Sequence, residues 1–115
     1  MAALLRWWAA CRAHRAELRA DADQVSALTW AWRLACIGAG LGREIGTVSG
    51  PTTSTPRLVH VALGPPTVLL VELMPGQLAA DVLAAAGRLA PHLGARSLRV
   101  GPHSHRHVLV QLLHD

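Results

Sequence analysis

The residues with most capacity for chemistry lie near the C-terminus. In the run His103-Ser104-His105-Arg106-His107, three imidazoles alternate with other side chains. Alternate residues of an extended chain share a face, so two or three of these rings can reach one metal ion, for which imidazole is a common ligand. No Cys or carboxylate accompanies them; His114 and Asp115 are close in sequence only. The same run also reads as a solvated hairpin turn between two apolar segments, and that is the expectation, with no metal assigned. His60 and His92 stand alone, one on a strand pattern and one near a helix end, and are read as structural or exposed.

Other reaction centres find little footing. A P-loop needs a glycine-rich turn followed by Lys and Ser or Thr, and this sequence contains no Lys. The glycines of GAGLG, at 38, 40 and 42, echo a dinucleotide loop. They follow a helical pattern instead of a strand, so a helix stop is the better reading. Ser49 in TVSGP lacks the strand-turn-helix setting of a nucleophile elbow. Glu72 and Asp81 are the only acidic residues between 57 and 114. Asp81 belongs to the first turns of a helix, where a carboxylate favours the dipole. Glu72 is expected on the solvent face of its strand. A general acid-base pair needs a shared cleft, so no catalytic residue and no cofactor is assigned, and the chain is read as not an enzyme.

The elements that carry these residues follow from hydrophobic period. Residues 2–20 read as a helix, with Leu4, Trp8 and Cys11 near one face and Arg6, Arg12, Arg15 and Arg19 around the rest. Asp21 to Asp23 marks a break. A second helix spans about 24–39, with Val25, Leu28, Trp32 and Ala35 at helical spacing, and the three glycines end it. Gly, Pro, Ser and Thr dominate 46–56, which reads as a loop or linker or as an irregular edge segment. Residues 57–63 and 67–73 read as strands joined by Gly64-Pro65-Pro66, and so short a link implies antiparallel pairing. Leu78, Val82, Ala85, Leu89 and Leu93 then form one stripe of an amphipathic helix. Pro91 kinks its end or begins a separate last turn, and Gly94 suits a left-handed cap. Residues 97–100 and 107–113 complete the order β-β-α-β-β. The expected architecture is α+β: an N-terminal helical region over 1–45, a linker over 46–56, and a ββαββ domain over 57–115, its single helix packed on one face of the sheet.

Composition narrows the class. At 115 residues the chain suits one domain with a helical appendage, and 51% hydrophobic residues argue against disorder. Four Trp with no Phe or Tyr leave the core to Leu, Val and Ala. The net charge is +4, and with no Lys every basic residue is Arg. Guanidinium suits phosphate or an acidic partner. Cys11 and Cys36 allow one disulfide between them, and are read instead as free, half-buried thiols of a reducing cytosol. The arginines of the first twenty residues argue against a signal peptide, and no window reaches the ~20 apolar residues of a spanning helix. Trp7 and Trp8 in a basic amphipathic helix also suit a membrane surface.

The stretch GPPTVLLVELMPGQLAADVLAAAGRLAPHLGARSLRV resembles the small domain that precedes the ATPase motor in FtsK/SpoIIIE-type DNA translocases. The resemblance rests on Gly64-Pro65, on Thr67-Val68 with Glu72, on Pro75-Gly76, on the helix through Asp81 to Leu93, on Ser97-Leu98-Arg99-Val100 and on HVLVQLL. Its form with PGQ, and the lead WAWRLACIGAGLGREI, looks like the actinobacterial conjugative-element branch, whose members move double-stranded plasmid DNA. It covers about residues 30–115. Pro91 departs from the pattern, and the family's ATP-binding residues have no positions here to receive them.

The resemblance implies a cytoplasmic, non-catalytic accessory of DNA transfer. Its expected partners are double-stranded DNA and a translocase motor or further copies of the chain. Arg57, Arg88, Arg96, Arg99 and Arg106 are the candidate contacts to phosphate. Two other classes stay open. One is an interaction protein unrelated to DNA, docking through its Trp-bearing helices to a partner or, through residues 1–20, to a membrane. The other is a metal-binding protein using the HSHRH turn.

Overall fold

The computed structural model describes residues 21–114. The expected helix over 2–20, with Trp7, Trp8 and Cys11, lies outside the described residues. Residues 21–38 are helical and form α1. Asp21 to Asp23, where a break was expected, are helical. The helix ends as its glycines suggested. Gly40 adopts a φ of 78°, and the Leu41 and Gly40 N–H groups donate to the Cys36 and Ile37 carbonyls. This is the left-handed closure that satisfies the last carbonyls of a helix, with an apolar residue, here buried Leu41, just beyond it.

Most of residues 46–56 is strand and not loop: the edge-segment alternative is the nearer one. Strands β1 (Arg43–Thr47) and β2 (Gly50–Ser54) pair antiparallel as a hairpin, with Ile45 opposite Thr52 and Arg43 opposite Ser54. Turn-forming composition concealed the β-branched content, since Ile45, Thr47, Thr52 and Thr53 all suit a pleated surface. Pro51 is tolerated because β2 has a free edge, where a missing N–H breaks no ladder.

The ββαββ order is present. A second sheet contains β3 (Arg57–Ala62), β4 (Val68–Glu72), β5 (Ser97–Pro102) and β6 (His107–Leu113), in the spatial order β3-β4-β6-β5, every pair antiparallel. The hairpin strand β6 is thus inserted between β4 and β5, which run parallel. The two parallel strands are joined by a helix because a tight turn cannot make that crossover. In β3 the register shifts between Leu58 and His60. Leu58 and Val61 are three residues apart, an odd spacing that would place them on opposite faces of a regular strand. The extra residue, Val59, forms a bulge that lets both pack on the core.

Helix α2 (Ala79–His92) crosses one face of this sheet. Val82, Ala85 and Leu89 are buried as the stripe predicted, and Leu93 just beyond them is too. Leu78 is not part of that stripe: it is the N-cap residue and is 64% exposed. The Asp81 carboxylate accepts a hydrogen bond from the Leu78 N–H at 2.8 Å, satisfying a donor that the helix itself cannot. The helix runs continuously through Pro91. Gly94, at φ 69°, closes it in the same way as α1, with Ala95 donating to Ala90. Among the described residues the fold is α+β, with two helices and two antiparallel sheets.

The core is a single cluster. Leu69 and Val71 of β4, Val108, Val110 and Leu112 of β6 and Val82 and Leu89 of α2 meet Trp32, Ala35 and Cys36 of α1. The α1 end is tied down by polar contacts as well. Gln77 Nε2 donates to the Leu41 carbonyl at 3.0 Å, and Arg43 donates to the Pro75 carbonyl at 3.0 Å. A side chain at Gly38 would meet the His92 ring at 3.1 Å, so the glycine permits close approach of the two helices. Trp32 is 1% exposed, and its indole N–H donates to the Pro56 carbonyl at 2.8 Å.

Replacing Trp32 with Phe leaves that buried carbonyl without its donor and opens a small void. The expected loss is about 1–3 kcal/mol, read as a lower denaturation midpoint in urea with an unchanged slope.

Candidate functional surface

Side-chain alternation divides the four-stranded sheet into a covered and an open face. Both helices share the core on the covered face. On the open face, strand register builds three rows. The first joins Arg57, Glu72 and His107; the second joins His60, Leu70, Leu109 and Gly101; the third joins Ala62, Val68, Gln111 and Arg99. Arg99 reaches this face because its neighbours Leu98 and Val100 pack on the core. Arg106 precedes β6 at the end of the sheet that carries the first row, and its carbonyl accepts from the Leu73 N–H at 2.7 Å.

The first row is a charged chain. Arg57 Nη2 lies 3.1 Å from Glu72 Oε2, and His107 Nε2 lies 3.8 Å from the same oxygen. On the other side of the imidazole, Nδ1 is 3.0 Å from Ser104 Oγ. Ser104 Oγ also accepts from the Arg106 N–H at 3.3 Å. The residue types are those of a hydrolytic relay, but their setting is an exposed turn, where the Ser104 hydroxyl is shared between the imidazole and the Arg106 N–H. The arrangement orders the turn and orients His107. The Arg57–Glu72 pair is itself solvent-exposed on the arginine side and contributes on the order of 0–1 kcal/mol.

Of the five arginines read from the sequence, the structure brings Arg57, Arg99 and Arg106 to the open face or its edge. Arg96 lies just before β5, at the opposite end of the sheet from Arg57, and its N–H donates to the Leu113 carbonyl. Arg88 is on α2 and lines a cleft with Arg43, Gly76 and Asp81, away from the open face. His103, His105 and His107 do not converge: His107 turns toward Glu72, while His103 and Ser104 close the turn by donating to the His107 carbonyl. Among the described residues no group of three or more His, Cys, Asp and Glu side chains is placed to hold a metal ion. Sequence reasoning missed the Ser104–His107–Glu72 chain. Its signal was the three-residue spacing across the turn and the register that sets Glu72 opposite His107.

The chain matches no protein-family profile, no curated protein and no solved structure. Among the described residues no helix is long and apolar enough to cross a membrane.

Cys36 is free and fully buried, more enclosed than the half-buried thiol expected, and burial pushes its pKa from 9.0 up to about 12. It is therefore a packing residue with little thiolate at neutral pH. Between pH 9 and 12 the unfolded chain loses this proton and the folded chain keeps it, so the Cys36 contribution to stability is complete below pH 9 and falls through that window. In a Cys11→Ser background, a disulfide-exchange reagent at pH 8 is expected to label the native protein only slowly and the urea-unfolded protein at once. Rapid labelling of the folded chain would contradict the burial.

Proposed function

We propose that this chain is a non-catalytic accessory domain of the DNA-translocase type, which rests on larger machinery by one face and meets double-stranded DNA with the other. The observation that carries this reading is the one-sided sheet. Two helices fill one face, and the open face presents Arg57 and Arg99, with Arg106 at its edge, around a middle of Leu70, Leu109 and Gln111. Among the described residues its single carboxylate, Glu72, is already engaged by Arg57 and His107. A sheet face bearing guanidinium groups is a known way to track a phosphate backbone. The absence of Lys favours the same chemistry, because Arg holds phosphate through a planar fork. The resemblance of residues 30–115 to the domain preceding a translocase motor supports the class of partner.

A second reading has its own observation. Trp30, Leu34 and Ile37 lie at i, i+4 and i+7 on α1, away from the core, and are 65%, 57% and 44% exposed. An apolar stripe of this kind suits a helix of a protein partner unrelated to DNA.

Salt dependence separates the two. Binding to a short duplex is expected to weaken linearly in log-log form, with a slope of about −0.9 for each phosphate contact. Combined Arg57→Ala, Arg99→Ala and Arg106→Ala should remove most of that slope. Glu72→Gln, which deletes the one negative charge on the face, should tighten binding. Arg88→Ala, on the far side of the domain, should leave it unchanged. Duplex binding that is absent, or equally sensitive to Arg88→Ala, rejects the DNA-facing assignment and favours the α1 stripe.

A further inference from the structure

The segment between α1 and the start of β3 contains a run of hydroxyls, Thr52-Thr53-Ser54-Thr55, followed by Pro56 and Arg57. The fold sets this run opposite the Val25-to-Arg33 part of α1 and leaves an open groove of about 760 Å³ between them. That volume falls within the ~300–1,000 Å³ of small-molecule sites. Its floor is rigid, because Trp32 is buried and its indole is held by the Pro56 carbonyl. Val25, Trp30, Ile45 and Leu58 supply apolar wall, and the threonines supply hydroxyls.

Among the described residues, the charged side chains that line the groove are Arg33 and Arg57, and Glu72, which pairs with Arg57, stands outside the lining. Each guanidinium is anchored by one amino group. Arg33 Nη2 donates to the Thr53 carbonyl at 3.0 Å, and Arg57 Nη2 reaches Glu72 at 3.1 Å. A guanidinium carries five N–H donors, so each keeps further donors for a guest while its position is already fixed. Fixing the donors in advance lowers the entropy lost on binding.

We propose that this groove is a binding site for a small amphiphilic anion, an apolar chain or ring ending in a carboxylate. The apolar part lies between Trp30, Ile45 and Leu58, and the carboxylate is received by Arg33 in a charge-assisted, forked hydrogen bond. The site is separate from the DNA-facing surface, with which it shares only Arg57.

The test uses the full chain and three probes with one alkyl tail: decanoate, decanol and decylamine, each kept below the concentration at which it forms micelles. Titration calorimetry is expected to show saturable one-to-one binding of decanoate, binding of decanol weaker by about tenfold, and none of decylamine. Arg33→Gln should reduce decanoate affinity by about tenfold and leave decanol unchanged. Thr29→Trp, which fills the groove from an exposed helical position, should abolish both, with circular dichroism confirming that each variant is folded. The head-group series on the unmodified protein decides the matter even if a variant fails to fold. Equal binding of decanoate and decylamine, or no saturable decanoate binding, overturns the proposal. So does anion preference seen only with lipid vesicles, which would assign the groove to a membrane surface. A dimer dissolved by Thr29→Trp would assign it to a second copy of the chain and overturn the proposal as well.

Discussion

The burial of Trp32 is the constraint on which the rest of the molecule depends. Among the described residues Trp32 is the one large side chain of α1 that is completely buried: Ala35 and Cys36 beside it are small, and Leu28 and Ala31 pack on the core only in part. A buried Trp side chain removes ~150–250 Å² from water. Its polar nitrogen then requires a partner, and the Pro56 carbonyl supplies one at the point where the chain enters β3. One side chain thereby sets the position of α1 against the sheet and fixes the corner where the hairpin gives way to the larger sheet. The helical face that remains outside, with Trp30, Leu34 and Ile37, is a consequence of that placement.

The second half of the fold was legible in the sequence because its signals agree. Strand length, the Pro-Gly turns, the helical stripe from Val82 to Leu93 and the capping glycine Gly94 all point to one answer, and antiparallel pairing of β3 with β4 follows from a three-residue link. Two features were hidden for identifiable reasons. The β1–β2 hairpin is written in Gly, Pro, Ser and Thr, residues that mark turns in general yet tolerate a two-stranded ribbon none of whose residues is fully buried. The bulge at Val59 cannot be seen in β3 alone. It appears only when Leu58 and Val61 must both face a core supplied by other strands.

The surface was less legible than the fold, and the difference is physical. An arginine in a sequence declares its charge but not its direction. Strand alternation gave Arg57 and Arg99 the same face only because the bulge and the register of β5 on β6 place them there. Arg88 and Arg96 are equal to them in type and spacing, yet α2 and the β5 entry send them elsewhere. The three histidines illustrate the opposite case. Their alternation suggested convergence, but the turn that carries them is tightened by Ser104 and by backbone bonds to His107, which spends the geometry on closing the hairpin.

The free edges of the sheets bear on how such a domain associates. In the larger sheet β3 and β5 are edge strands, and in the hairpin β1 and β2 each have an open side. Unpaired strand edges invite further strands, and natural proteins blunt them with bulges, charges and prolines. Each edge here carries such a device: the bulge at Val59 on β3, Arg99 and Pro102 on β5, Arg43 and Glu44 on β1, and Pro51 on β2, where Arg33 also occupies the Thr53 carbonyl. Backbone pairing with another chain is thereby disfavoured at all four. The surfaces left for recognition are made of side chains: the guanidinium-bearing sheet face, the apolar outside of α1, and the groove between α1 and the hairpin. A domain arranged in this way selects its partners by charge and shape, because its architecture has already removed the option of extending the sheet.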